Sequence, residues 1–221
     1  MTNCPVVEKS FLLDFTELQP GDVLLRRPIK PGFLQRLISH KTDSPYTHAS
    51  IYLGMNQVAE ATALRRVRIL PLAKAIKNNS CTGVLRSQAK FDGERIDKLH
   101  AFINSLIGKR SGYDYSGIFG FHLKNKRYFL NQMEFIRKNC GIYLSAEHFS
   151  NNHYFCSSLV VACYSVVGII DSSAQCAYPH EVISPGDLYK DPTFGWFLGY
   201  LLPRGCEVPA EDPLKLMTRW S

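Results

Sequence analysis

Over roughly the first hundred residues apolar and polar side chains alternate with a period of two, the signature of strands. The segment "LQPGDVLLRR" (18–27) gives a Pro-Gly-Asp turn and then a strand. "YTHASIYLG" (46–54) sets Ala49, Ile51 and Leu53 on one face and His48, Ser50 and Tyr52 on the other, a half-buried strand. Further strands are predicted over 58–62, 66–72 and 81–87. Between the first two strands, Phe33, Leu34, Leu37 and Ile38 recur at helical spacing beside Lys30, Arg36 and Lys41, which predicts a short helix with one buried stripe. From residue 92 the period lengthens. Ile96, Leu99, Ile103, Leu106 and Ile107 form a helical stripe ended by Gly108, and "FCSSLVVACYSVVG" (155–168) carries Cys156, Val160, Cys163 and Val167 on one face before Gly168. The aromatic and basic segment 113–139 shows no decisive period. Strands first and helices later predict an α+β fold with a mainly antiparallel sheet packed against helices.

The 221 residues suit one well-filled core, so a single domain spanning 1–221 is expected. The opening "MTNCPVVEKSFLLDF" lacks a basic start and is interrupted by Asp14, unlike a secretory signal, and no run reaches the ~18 apolar residues of a spanning helix. The expectation is a cytoplasmic protein, or one delivered without a cleaved signal peptide. Seven irregularly spaced cysteines in a chain of this size are expected to be free thiols. A net charge of +7 and a pI near 9.0 favour an anionic cell-wall polymer or lipid surface as partner. Nucleic acid is set aside, since no zinc-finger, helix-turn-helix or RNA-recognition pattern is present.

Cys156 opens a predicted helix, where unpaired N–H groups and the positive dipole end favour a thiolate. A thiol nucleophile needs a base, and His48 alone of the seven histidines lies in a clear strand. Glu60, in the next strand, is the group placed to orient the imidazole. The separation of 48 and 60 is even, so the two side chains share a face only if the hairpin has an odd loop or a bulge, and Gly54 permits either. Tyr46, two residues before His48, is a candidate second oxyanion donor beside the Cys156 N–H. A zinc set of Cys140, His148, His153 and Cys156 is the rival reading, but its spacings lack paired ligand units; no metal and no cofactor are expected.

"GDVLLRR", "THASIYLG", "VAEAT" and "YFCSSLVVACY", in that order, resemble the circularly permuted branch of the NlpC-type papain-like hydrolases, in particular the bacterial YaeF/YiiX/YebB group, with the lecithin:retinol acyltransferases more distant. "GKRSGYDYSG" and "SPGDLYKDP" are similar to further segments of that group, and the histidine strand precedes the cysteine helix as in the permuted order. The resemblance implies a permuted papain-like fold with Cys156 as nucleophile, His48 as general base and acid, and Glu60 as the orienting residue; it adds Tyr113 as a substrate-side candidate. It implies a thiol hydrolase that cleaves an amide bond, in a cell-wall peptide or another peptidyl or acylated small substrate, through an acyl-enzyme. Two alternatives stand beside it: acyl hydrolysis or transfer at a membrane surface, and a non-catalytic binding module. Relatives with an amide at the third position imply that Glu60→Gln keeps much of the activity.

Overall fold

The computed structural model describes residues 11–62, 65–107, 115–142, 144–150 and 154–217. Strands β1 (Val23–Pro28), β2 (His48–Gly54), β3 (Gln57–Thr62), β4 (Arg65–Pro71), β5 (Asn79–Arg86) and β6 (Trp196–Leu201) form one sheet in the order β4-β3-β2-β1-β5-β6. Every neighbouring pair is antiparallel. Helices α1 (Phe33–Thr42), α2 (Leu72–Ile76), α3 (Gly93–Leu106), α4 (Tyr115–Leu130), α5 (Gln132–Asn139), α6 (Ala146–Ser150), α7 (Cys156–Val166) and α8 (Pro185–Leu188) complete the described residues with short 3-10 turns.

The central strands are buried on both faces, unlike the half-buried expectation. Val23, Leu25, Ala49, Ile51 and Ala59 pack toward α3 and α7, while Leu24, Tyr52, Val58 and Leu70 pack against Leu72, Ala75 and Ile76 at α2. Helix α7 is therefore buried around its whole circumference from Cys156 to Ser165, rather than along one stripe. Gly168, just beyond its C-cap, takes the left-handed conformation that ends it. On α3 the buried residues are Leu99, Phe102, Ile103 and Leu106; Ile107 is exposed, Ile96 only partly covered, and Gly108 lies outside the described residues. Asp92 caps that helix by accepting from the Arg95 N–H at 3.0 Å. The expected buried stripe of 28–41 is corrected too: none of α1 is fully buried, and Phe33 is 83% exposed.

The β2–β3 hairpin places the site. A two-residue turn, Met55 and Asn56, has positive φ at both positions, the geometry of a type I′ turn, and the register shifts between Tyr52 and Gly54. That bulge, with Gly54 at φ +92°, is the irregularity the even spacing of His48 and Glu60 requires. Ile51 pairs with Ala59, so Glu60 falls opposite Ser50, one same-face step from His48.

Candidate active site

Each reactive residue begins an element. Cys156 is the first residue of α7, His48 the first of β2, and α7 packs on β2, so the two meet where helix and strand start together. Two side chains fix that helix start. Ser158 Oγ accepts from the Phe155 N–H at 2.9 Å, and Ser157 Oγ donates to the Ile183 carbonyl at 2.7 Å, tying the turn to the chain leading into α8. Within α8, Ser184 and Asp187 cap one another, and Asn125 donates to both Asp187 (2.9 Å) and the Val182 carbonyl (2.7 Å). The cysteine is thus held from three sides of the sequence.

The imidazole bridges cysteine and carboxylate. His48 Nε2 lies 3.0 Å from Glu60 Oε2, which leaves Nδ1 for the hydrogen bond shared with the Cys156 thiol. Burial, with only 5% of Cys156 exposed, pushes the thiol up. The positive field of His48, its hydrogen bond, and the backbone N–H groups of Ala49 and Ser157 outweigh that, and the thiol lies below its ordinary value. Burial and Arg26 push His48 down, but the Cys156 thiolate and the hydrogen bond to Glu60 prevail, leaving it raised. A lowered thiol beside a raised imidazole shifts the pair in the direction that favours thiolate and imidazolium. The buried cysteines off the site go the other way, Cys81 being pushed up to about 12 by burial and by Asp212.

Glu60, 1% exposed, does more than face the histidine. Arg26 Nη2 donates to the same Oε2 that His48 uses, and Arg68 donates to Oε1 through Nε (2.8 Å) and Nη2 (2.5 Å). Burial raises the carboxyl, but His48, Arg26 and Arg68 hold it far below the usual carboxylate range. Arg26 pairs across the ladder with His48, and Glu60 with Arg68. One row of side chains, Arg26, His48, Glu60, Arg68, therefore crosses four adjacent strands. With both oxygens engaged by guanidinium groups, the cluster is already rich in cations. Among the described residues no group of three or more His, Cys, Asp or Glu is arranged to hold a metal ion. Of the rival zinc set, Cys156 lies beside His48, Cys140 is exposed, and His153 lies outside the described residues.

No family model matches the chain. It is 30% identical over 207 residues to a protein of Escherichia coli strain K12 named probable lipoprotein peptidase YaeF, covering 85% of this chain and 72% of YaeF. The chain belongs to the YaeF family. Among solved structures, YiiX of Escherichia coli O157:H7, described as a metalloprotein, is similar at a TM-score of 0.50 and 19% identity, over 79% of this chain and 93% of YiiX. That second likeness carries the fold, the α+β permuted papain-like arrangement of the YaeF/YiiX group.

In this YaeF-family chain the structure brings together Cys156, His48 and Glu60 and moves Tyr46 away. Tyr46 precedes β2, so strand alternation does not govern it; its ring is fully buried against Tyr189, and its hydroxyl donates to Asp212 Oδ1 at 2.9 Å. A hydroxyl spent on a buried carboxylate is not an oxyanion donor. Tyr113 lies outside the described residues. The N–H groups of the first turn of α7, at Cys156 and Ser157, have no preceding helical carbonyl to bond and supply the positive end of the helix instead. Arg26 and Arg68 are the residues sequence reasoning missed. Their signal was parity: each sits on a strand flanking the His48–Glu60 hairpin, at a position that turns its side chain to the same face.

Proposed function

We propose that this chain is a cysteine hydrolase of the peptidase type, with Cys156 as nucleophile, His48 as acid and base, and Glu60 as the group that orients the ring. The meeting of Cys156 at the start of α7 with His48, whose Nε2 is 3.0 Å from Glu60 Oε2, is the observation that carries the reading, and the lowered thiol and raised imidazole accord with it. The Cys156 thiolate adds to an amide carbonyl, and the first N–H groups of α7 stabilise the oxyanion. The His48 imidazolium gives its proton to the departing amine as the C–N bond breaks, leaving a thioester. Water, deprotonated by His48, then releases the acid and restores the thiol. YaeF is named a peptidase, which supports a peptide as the substrate class, and cell-wall peptides share the same amide chemistry.

A second reading, acyl hydrolysis or transfer at a lipid surface, is favoured by one observation. Leu123, Leu130 and Met133 stand exposed on α4 and α5 among the exposed Lys126, Arg127 and Arg137. Both readings pass through a thioester on Cys156, so intact-mass and peptide-mapping analysis after incubation with a lipopeptide, a wall-derived peptide or a phospholipid separates them. A peptidyl adduct on Cys156 supports the first reading and a fatty-acyl adduct the second. Adducts on other cysteines alone, or equal adducts in His48→Ala, refute both.

A further inference from the structure

Behind the triad, on the side of the sheet covered by α2, lies an open cleft of about 810 Å³. Arg26, Lys30, Arg68, Lys74 and Lys77 line it, and no Asp or Glu does. The one carboxylate at hand, Glu60, is hydrogen-bonded by Arg26 and Arg68, so five cations meet one anion and four positive charges remain uncompensated there. Lys30, Lys74 and Lys77 are exposed and form no ion pair among the described residues.

Arg26 makes the cleft more than a basic surface. It is 9% exposed, and although Nη1 donates to the Ala75 carbonyl at 2.9 Å and Nη2 to Glu60, its Nε is buried with no hydrogen-bond partner. A buried guanidinium with an unused donor is costly to keep unless something anionic completes it. The ammonium groups of Lys30, Lys74 and Lys77 are donors that phosphate oxygens match from several directions, and the guanidinium charges of Arg26 and Arg68 add to the attraction.

We propose that this cleft binds a phosphate group, carried by a soluble phosphate compound or by a lipid headgroup. The bound phosphate would lie one guanidinium away from Glu60, and hence beside the machinery that orients His48. Binding can be measured without turnover, so the proposal stands or falls apart from the hydrolase reading.

The test is calorimetric titration of the full chain with inorganic pyrophosphate, alongside sedimentation with vesicles of phosphatidylcholine alone or with phosphatidylglycerol. Lys74→Ala/Lys77→Ala removes two exposed lysines of the cleft, and Lys90→Ala/Lys98→Ala removes two exposed lysines away from it as the charge control. The expected result is saturable binding, weakened about tenfold or more by the first pair and not by the second. Saturation by pyrophosphate assigns a soluble ligand; binding only to phosphatidylglycerol vesicles, with the same dependence on Lys74 and Lys77, assigns a headgroup. Absence of saturable binding in both arms, or equal weakening by both lysine pairs, would overturn the proposal.

Discussion

Glu60→Gln tests whether the carboxylate is a passive hydrogen-bond acceptor or the counter-ion of a buried arginine. An amide can accept from His48 Nε2 as the carboxylate does, and on that ground alone the substitution is mild. Stability is a separate matter from activity, because the same oxygen also holds Arg26, whose guanidinium is buried. Removing one partner of a buried pair costs about 3–5 kcal/mol. Arg68 is left out of that figure, since its side chain is 39% exposed and water takes over from Glu60. For a chain of this length each kcal/mol is worth about 2–4 °C, so Glu60→Gln should lower Tm by about 6–20 °C. Arg26→Met in the same chain removes the stranded charge. The Ala75 carbonyl keeps its bond from Asn79 Nδ2 at 2.9 Å, and the double variant should return to within about 2 kcal/mol of wild type. Urea denaturation in reducing buffer, followed by circular dichroism, reads all three chains. A single variant within about 1 kcal/mol of wild type, or a double variant less stable than the single one, would refute the argument.

Three other outcomes follow from the same geometry. Asp212 accepts from Tyr46, Tyr200, Arg27 and the Leu214 N–H, so Asp212→Ala should cost about 3 kcal/mol or more in urea while leaving native-state alkylation of Cys156 unchanged. Met55, 96% exposed and left-handed, should be improved by Met55→Asn by about 0.5–1 kcal/mol, measured the same way. Glu60 is lowered on folding, so its contribution is whole above the unfolded value of about 4.3 and is lost as pH falls through the folded one. His48 is raised, so its contribution is present below about 6.5 and is lost as pH rises through its folded value. Stability measured from pH 5 downward should therefore fall in wild type, and fall less steeply in Glu60→Gln.

The meeting of Cys156 and His48 was legible because each is marked by local pattern: a cysteine at the start of an apolar helix, and a histidine in a strand of period two. The hairpin between His48 and Glu60 was legible through parity, since an even spacing demands an irregularity and Gly54 could provide it. Arg26 and Arg68 were not, because a strand arginine looks like any solvated charge until the register shows which strands flank it. Alternation extended past the start of β2 put Tyr46 on the wrong side. Strand β6, "WFLGYL", escaped because burial on both faces erases alternation, and its partner β5 lies far back in the chain. Helices α4 and α5 escaped for the opposite reason, with apolar side chains such as Leu123, Leu130 and Met133 left exposed and blurring the stripe.

The pH dependence of Cys156 alkylation tests the thiolate–imidazolium pair most directly. Iodoacetamide is applied at pH 4 to 10, with peptide mapping to isolate Cys156 from exposed Cys140, in wild type and in His48→Ala. The account predicts that Cys156 of the wild type reacts as a thiolate well below the ordinary thiol value of about 8.5, and that His48→Ala moves its profile upward. Identical profiles in the two proteins, each rising only near or above that ordinary value, would contradict it.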